Sequence, residues 1–237
     1  MLAVAKSDIG LIRQINEDSF ECINPNLYIV ADGMGGHLAG EVASKMAVNH
    51  IKNFIQKNMD TYINPEVLLN DAILDANKII YEKSKEHKEY VGMGTTVSIV
   101  YCVDDHFFWG HVGDSRIYLL RENQLSQLTK DHSLVWGLFE SGSITKAEAQ
   151  IHPQRNILTR AVGVNTDLTV DTGVYDLRKD DRLLLCTDGL TNMVSEETIK
   201  NAISLEHRDL TKNVNFLLKA AINAGGSDNI TLILSEE

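Results

Sequence analysis

The chain has 237 residues, of which 43% are hydrophobic and 23% are charged, and its formal net charge is −11 at pH 7. This composition is ordinary for a globular protein with a sizeable core, and the length allows one or two domains. The negative charge argues against nucleic acid or an anionic membrane as a partner, because both would repel the chain. An anionic substrate would therefore need local cations at its binding site.

The cysteines and the N-terminal residues indicate the cellular compartment of the protein. Cys22, Cys102 and Cys186 lie far apart in strand-like stretches, without any Cys-x-x-Cys spacing. This is typical of small buried residues in a reducing compartment and argues against a disulfide framework or a zinc site. Residues 1–5 are too short for the apolar core of a signal peptide, and no apolar run reaches membrane length. The sequence therefore predicts a cytoplasmic protein.

The first part of the chain predicts short strands followed by two helices. The strands are expected at 3–7, 18–22 and 27–31. Residues 38–57 repeat apolar side chains at three- and four-residue steps, which predicts a helix. Asn64 and Pro65 are typical of a helix start, with Asn as the N-cap and Pro in the first helical position. That second helix should end by about Lys88.

The rest of the chain predicts a block of strands, an insertion and a mixed C-terminal part. Residues 95–128 read as a strand meander, and the polar stretch 130–155 as a mobile insertion over a site, with room for one short helix after Thr145. The later elements are strands at 168–175, 182–187 and 230–234 and helices from Ser195 and from about Asp209 to Ala221. Because the strands come in runs, antiparallel sheets with helices outside are favoured over a doubly wound parallel sheet.

Aspartates recur at the ends of strand-like stretches. Asp32, Asp114 and Asp188 each follow such a stretch, and Asp228 precedes the last one. If the fold brings them to one edge of a sheet, their mutual repulsion calls for a hard cation that prefers oxygen ligands, such as Mg²⁺ or Mn²⁺. A lone Asp-Gly pair usually only turns the chain, and for each position that alternative stays open.

Six short motifs occur in a fixed order along the chain. They are residues 13–18 (RQINED), 32–37 (DGMGGH), 94–96 (GTT), 113–116 (GDSR), 187–190 (TDGL) and 226–229 (GSDN). Any one of them is weak, but together they resemble the signature of the metal-dependent serine/threonine protein phosphatases, the protein phosphatase 2C family. Residues 131–133 and 152–156 resemble further motifs of its bacterial branch.

The resemblance implies a fold and an activity. The fold would be α+β, a four-layer α-β-β-α sandwich in which helices flank two antiparallel sheets and a metal cluster lies at one end. Residues 1–237 would form a single catalytic domain in which 134–155 are a substrate-selecting flap, and Gly142 and Ser143 suit its mobility. A water activated by two Mn²⁺ or Mg²⁺ ions would hydrolyse phosphoserine and phosphothreonine in proteins, opposing a serine/threonine kinase. A third ion is left open, and a monomer is the default.

The resemblance also implies a role for each metal-site residue. Asp32 would bridge two ions, and Gly33 would lend its backbone carbonyl to one of them. Asp188 and Asp228 would complete the shell of the other ion. Asp114, together with Asp188, would form the site of a third ion. Glu17 would hold a water of the metal site, and Asp18 stands beside it.

Two catalytic candidates remain. Arg13 is the candidate phosphate clamp, because its planar fork matches two phosphate oxygens; the alternative is a solvated loop cation. Eukaryotic members carry a histidine directly after the Asp-Gly pair, where this chain has Met34. His37 lies three residues further on, and it is either a proton donor or a packing residue at the helix entry. A water could donate the proton instead.

The other histidines and the rival functions are less favoured. His111, His132 and His152 fit hydrogen-bonded structural roles, and His106 and His111 should lie on opposite faces of a strand. Nucleotide binding is not supported, because neither P-loop nor Rossmann spacing occurs. The rivals are a phosphohydrolase of small molecules and a catalytically silent binding module; the second is disfavoured because the metal-site acids are all present.

Overall fold

The computed structural model describes residues 1–35, 39–204 and 209–237. The strands within these residues are β1 (Leu2–Asp8), β2 (Asp18–Ile23), β3 (Leu27–Met34), β4 (Gly94–Thr95), β5 (Val97–Val103), β6 (His106–Val112), β7 (Arg116–Arg121), β8 (Gln124–Gln127), β9 (Asp171–Asp176), β10 (Arg182–Cys186) and β11 (Ile230–Glu236). The helices are α1 (Ala39–Asn58), α2 (Pro65–Glu86), α3 (Leu134–Glu140), α4 (Lys146–Ile151), α5 (Asp188–Thr191), α6 (Glu196–Ala202) and α7 (Leu210–Asn223), and Lys88–Tyr90 form a 3₁₀ turn.

The strands form two sheets whose described pairs are all antiparallel. One sheet has the order β1-β11-β10-β7-β8, and the other has the order β2-β3-β5-β6-β9 with β4 added beside β3. Short turns connect β5 to β6 and β7 to β8, as expected of a meander.

Alternation along the strands builds four layers. In β3, Leu27, Ile29 and Ala31 pack against α1 and α2, whereas Tyr28 and Val30 face the second sheet. The second sheet repeats the arrangement, because alternate residues of β10 pack against α5, α6 and α7 or against the first sheet. Since successive side chains of a strand point to opposite faces, a strand buried on both faces is apolar throughout. The predicted α-β-β-α sandwich is confirmed.

Most of the predicted elements are found, but one strand begins later than expected, and the helices α3 and α5 were not predicted. Asn64 caps α2 by accepting a hydrogen bond from the Glu66 N–H at 2.9 Å, as predicted. The strand expected from residue 168 begins only at Asp171, because Leu168 and Val170 pack against the α1–α2 core instead of joining the ladder.

The insertion at 130–155 contains two helices, where room for one was expected. The predicted helix after Thr145 is α4, which begins with a capping box between Thr145 and Glu148. The unexpected helix is α3, whose N-cap Ser133 accepts a hydrogen bond from the Trp136 N–H at 3.3 Å.

Cys102 and Cys186 are buried and Cys22 is half-buried, and all three are free thiols, as the sequence predicted. None of the helices in the described residues combines the length and apolar character that a membrane crossing requires.

Antiparallel pairing brings the motif aspartates to one end of the sandwich. Asp18, at the start of β2, lies opposite Asp32 near the end of β3. Asp188 follows the end of β10, and Asp228 precedes the start of β11. Because β10 and β11 pair antiparallel, the two aspartates lie at the same end of the sheet. Asp114 lies in the turn between β6 and β7 at that same end.

Candidate metal centre

Asp32 is held in place by hydrogen bonds of its backbone, while its carboxylate lines the cleft. Its N–H donates to Thr96 Oγ1 at 2.9 Å, and its carbonyl accepts from the Thr96 N–H at 2.8 Å and from Thr95 Oγ1 at 2.9 Å. The threonines of the 94–96 motif therefore position the end of β3. The side chain is half-buried and lines a cleft of 190 Å³ with Arg13, Glu17, Asp114, Asp188 and Asp228.

The Asp-Gly pair at 32–33 marks a close approach of backbones, not a hairpin turn. A Cβ at Gly33 would lie 2.1 Å from the Gly40 carbonyl oxygen and 2.6 Å from that of Glu17. The Gly33 N–H also donates to the Glu17 carbonyl at 3.1 Å. Only glycine fits here, because the start of α1 and the 13–18 loop press against it from both sides.

Asp188 begins the short helix α5, beside a second glycine of the same kind. Asn192 Nδ2 donates to Asp188 Oδ2 at 2.9 Å. A Cβ at Gly189 would lie 1.9 Å from the Asn229 carbonyl oxygen. The backbone of α5 therefore approaches that of Asn229 closely, and Asp188 and Asp228 line the same cleft.

Arg13 reaches into the cleft from the β1–β2 loop. Its Nη2 forms an ion pair with Asp228 Oδ2 at 2.9 Å, and its Nη1 lies 3.9 Å from Glu17 Oε2. The arginine side chain is 45% exposed, so part of its fork faces solvent and can reach an incoming anion.

Asn229 fastens the loop that carries Arg13, a role that sequence reasoning missed. Its Nδ2 donates to the carbonyls of Ile9 at 3.1 Å and Ile15 at 3.0 Å, and its Oδ1 accepts from the Glu17 N–H at 2.8 Å. Ile9 and Glu17 are 220 and 212 residues away along the chain. The amide therefore binds both ends of the loop at once.

Asp18 is buried beneath the cleft. Its Oδ2 accepts a hydrogen bond from Thr187 Oγ1 at 2.9 Å, which joins the 13–18 motif to the 187–190 motif. Thr187 Oγ1 also accepts a hydrogen bond from the Thr231 N–H at 3.0 Å. The carboxylate thus connects β2 to the chain segment just before Asp188.

The loop that carries Asp114 forms hydrogen bonds with Asp131 and His132, at the start of the 130–155 insertion. Gly113 exchanges two hydrogen bonds with His132: its N–H donates to His132 Nδ1 at 3.1 Å, and its carbonyl accepts from the His132 N–H at 2.7 Å. Arg116, two residues after Asp114, forms a bidentate ion pair with Asp131. Its Nη2 donates to Oδ2 at 2.7 Å and its Nε donates to Oδ1 at 2.9 Å. Position in the sequence gave no sign of this ion pair.

Burial and mutual repulsion raise the pKa values of Asp18, Asp32, Asp114 and Asp188. Burial is the largest cause for each, and neighbouring carboxylates add to it. The pKa values of Asp32 and Asp114 lie well above their usual range, and the Asp188 charge contributes to both. The pKa of Asp188 rises to about 6, with Asp228 as its main charged neighbour, and that of Asp18 rises to about 7. A bound cation would reverse these shifts.

The oxygens in this cleft suit a hard cation. Among the described residues, the buried side-chain atoms without a hydrogen-bond partner include Glu17 Oε1, Asp18 Oδ1 and Asp188 Oδ1. Buried carboxylate lone pairs need a donor or a cation. No three His, Cys, Asp or Glu side chains in the described ranges form a ready ligand set around one point. Mg²⁺ takes only one or two carboxylates and keeps several waters, so the residues present fit such an ion.

The histidines outside the 32–37 motif have structural partners. His111 is buried and bonds to Ser98 Oγ at 2.9 Å and to the Lys130 carbonyl at 3.1 Å, and burial lowers its pKa to about 3. His132 is also buried, and its Nε2 lies 3.1 Å from Asp171 Oδ2. His106 is half exposed while His111 is buried, so the two lie on opposite faces as predicted. His37 lies outside the described residues.

The 134–155 insertion borders a second cleft, of 410 Å³, next to Asp114 and Asp188. Trp136 and Phe139 of α3 and Lys146 of α4 line this second cleft. Gly142 and Ser143 lie in the exposed turn between α3 and α4, where Gly142 has a φ of 74°. An ion pair of 2.9 Å between Lys146 and Glu196 connects the insertion to α6.

The comparisons with known proteins point to one family. A family model described as "Protein phosphatase 2C" matches residues 13–223. The serine/threonine phosphatase stp of Listeria welshimeri is 42% identical over 242 residues, covering 100% of this chain and 96% of that protein. The protein phosphatase PhpP of Streptococcus pneumoniae is 37% identical over 233 residues, covering 96% and 94%. The catalytic domain of the phosphatase PstP, solved with two manganese ions, superposes with a TM-score of 0.90 at 34% identity, covering 99% and 97%.

Proposed function

The chain belongs to the protein phosphatase 2C family, and we propose that it hydrolyses phosphoserine and phosphothreonine in proteins at a binuclear Mn²⁺ or Mg²⁺ centre. The observation that carries the proposal is one cleft in which Asp32, Asp188 and Asp228 meet beside Arg13. Carboxylates at that density need cations, and Arg13 offers a phosphate ligand at their edge.

The oxygen atoms that line the cleft are the ones that would hold the ions. Asp32 would bridge two ions, Gly33 would add its carbonyl, and Asp188 and Asp228 would complete the ligand set. Asp114 with Asp188 would take a third ion. When bound, such ions activate water as a nucleophile and neutralise charge on the phosphoryl oxygens.

The chain's own residues would bind and orient the substrate. The Arg13 guanidinium would leave Asp228 and donate hydrogen bonds to two phosphate oxygens, which would orient the phosphorus for in-line attack. Glu17 would hold a water through its unpartnered Oε1, and Asp18 supports the segment before Asp188 through Thr187. His37 stays a hypothesis for the proton donor. Met34, which lines the cleft directly after the Asp-Gly pair, has no proton to give.

The biological setting is a further part of the proposal. We propose that residues 1–237 act as one catalytic domain, that 134–155 form a flap with Gly142 and Ser143 at its turn, and that the enzyme opposes a serine/threonine kinase. The acidic net charge of −11 supports protein substrates over nucleic acid. The cytoplasmic location and the monomeric state stay predictions.

The test compares substrate classes at fixed Mn²⁺. We expect phosphate release from a phosphothreonine peptide to exceed release from sugar phosphates and nucleotides in kcat/KM. Asp60→Asn, which removes an exposed carboxylate beyond the end of α1, serves as the matched control and should leave the ranking unchanged. A preference for sugar phosphates or nucleotides would favour the small-molecule phosphohydrolase. Absence of turnover by folded, metal-replete protein would favour the silent binding module.

A further inference from the structure

Two large aliphatic side chains stand in solvent directly before Arg13. Leu11 is 64% exposed and Ile12 is 69% exposed. Scattered exposed hydrophobic residues are normal on soluble proteins, so exposure alone decides nothing. Their position in the chain is the relevant observation, because Leu11 and Ile12 directly precede Arg13, and Arg13 lines the carboxylate cleft.

The loop that carries them is held in place. The Leu11 N–H donates to the Gly226 carbonyl at 2.7 Å, and the Gly10 N–H donates to Asp8 Oδ1 at 2.8 Å. Gly10 has a φ of 78°, and a Cβ there would lie 2.3 Å from the Asp228 carbonyl oxygen. Together with the bonds of the Asn229 amide, these hydrogen bonds hold the loop backbone in place while the side chains of Leu11 and Ile12 stay exposed.

Further aliphatic side chains lie near the cleft in residues 151–158. Asn156 and Leu158 line the same cleft as Arg13, and Ile157 between them is 46% exposed. Ile151, on the wall of the adjoining cleft, is 78% exposed. Exposed aliphatic side chains from two parts of the chain, residues 11–12 and 151–157, therefore lie near the carboxylate cleft, within reach of residues that flank a phosphoresidue in a polypeptide.

We propose that Leu11 and Ile12 are specificity-determining residues, which contact an apolar side chain next to the phosphoresidue of a polypeptide substrate. The inference rests on the proposed function. A polypeptide whose phosphate reaches Arg13 brings its neighbouring residues close to the loop that precedes Arg13. An apolar neighbour of the phosphoresidue would then bury both its own surface and that of Leu11 and Ile12. A polar neighbour would gain nothing there.

The experiment uses three substrates and two variants of the metal-loaded protein. The substrates are a phosphothreonine peptide with leucines on both sides, the same peptide with serines, and para-nitrophenyl phosphate. The variants are the double substitution Leu11→Ser with Ile12→Ser, and Val67→Ser as the control. Val67 is 47% exposed on α2, away from the cleft. Thermal unfolding verifies that both variants are folded.

The expected result is selective. The double variant should lose about tenfold in kcat/KM for the leucine peptide, mainly through KM. The serine peptide and para-nitrophenyl phosphate should be turned over as before, and Val67→Ser should change nothing. An equal loss for all three substrates, or no loss for the leucine peptide, would overturn the inference while the proposed function stands. Failure of the unsubstituted protein to release phosphate from any of them would overturn both.

Discussion

The side-chain oxygen of Asn229 accepts a hydrogen bond from the backbone N–H of Glu17 at 2.8 Å. The same amide donates to two carbonyls of the β1–β2 loop, so one side chain at the start of β11 positions the segment that carries Arg13. Asn229 is 4% exposed, whereas the loop residues that it bonds are exposed or half-buried. The position of Arg13, the proposed phosphate clamp, therefore depends on an amide that bonds the backbone of its loop.

Replacing Asn229 should therefore cost both stability and activity. Asn229→Ala leaves one donor and two acceptors without partners, and we expect the free energy of unfolding to fall by about 2 kcal/mol. The KM for a phosphopeptide should rise, because Arg13 loses its support. Urea unfolding and steady-state kinetics measure the two effects. Asn58→Ala, which removes a half-buried amide at the end of α1, is the control. Unchanged stability and KM would contradict the positioning role.

Two helical glycines provide a matched test of the packing around Asp188. Gly189→Ala would place a Cβ 1.9 Å from the Asn229 carbonyl oxygen, whereas a Cβ at Gly137 in α3 would have no heavy atom within 4 Å. We expect Gly189→Ala to destabilise the fold by about 3 kcal/mol or more, and Gly137→Ala to stabilise it by about 0.5–1 kcal/mol. Thermal unfolding compares them. Equal effects of the two substitutions would rule out the close approach.

The stability of the metal-free protein should fall as the pH rises above 4. Asp188 and Asp18 have pKa values raised to about 6 and about 7 from the ordinary 3.8, with burial as the main cause. The folded state then binds more protons than the unfolded state, so the stabilisation is complete below pH 4 and lost by about pH 7. Urea unfolding from pH 4.5 to 8 in chelator measures this slope, and Asp188→Asn should flatten it. In saturating Mn²⁺ the loss above pH 6 should disappear. Stability that rises over this window in chelator would contradict the shifts.

Asp114→Ala should have a milder effect than loss of the other cleft aspartates. If Asp114 helps to hold a third ion, activity should fall more at low Mn²⁺ than at saturation, because excess metal compensates for weaker binding. A Mn²⁺ titration of phosphopeptide turnover, beside unsubstituted protein, measures the shift in half-saturation. A constant fractional loss at every concentration would argue against a third ion there.

Sequence reasoning succeeded where local pattern determines structure. Asp32 and Asp188 were placed at strand ends because a buried apolar run precedes each, and antiparallel pairing then brings them together. The helix α3 was missed because its segment is mixed in character, and its N-cap depends on a single side chain, that of Ser133.

Long-range contacts lay beyond prediction. The Asp18–Thr187 bond joins residues 169 positions apart. Nothing local to Arg116 indicates that Asp131 is its partner, because the geometry of the folded loops brings them together. For the same reason the sequence could name Arg13 as a candidate clamp, but could not identify Asn229 as the residue that holds its loop.

The central claim is tested most directly by phosphate release from a phosphothreonine peptide with Mn²⁺, with Mg²⁺ and with chelator. Unsubstituted protein is compared with Asp32→Asn, Asp188→Asn and the surface control Asp60→Asn, all verified as folded by circular dichroism. We predict turnover that requires metal, falls more than about a hundredfold in the two cleft variants and is unchanged in the control, since a neutral amide does not balance a divalent ion. Full activity of either cleft variant, or turnover that persists in chelator, would contradict the account.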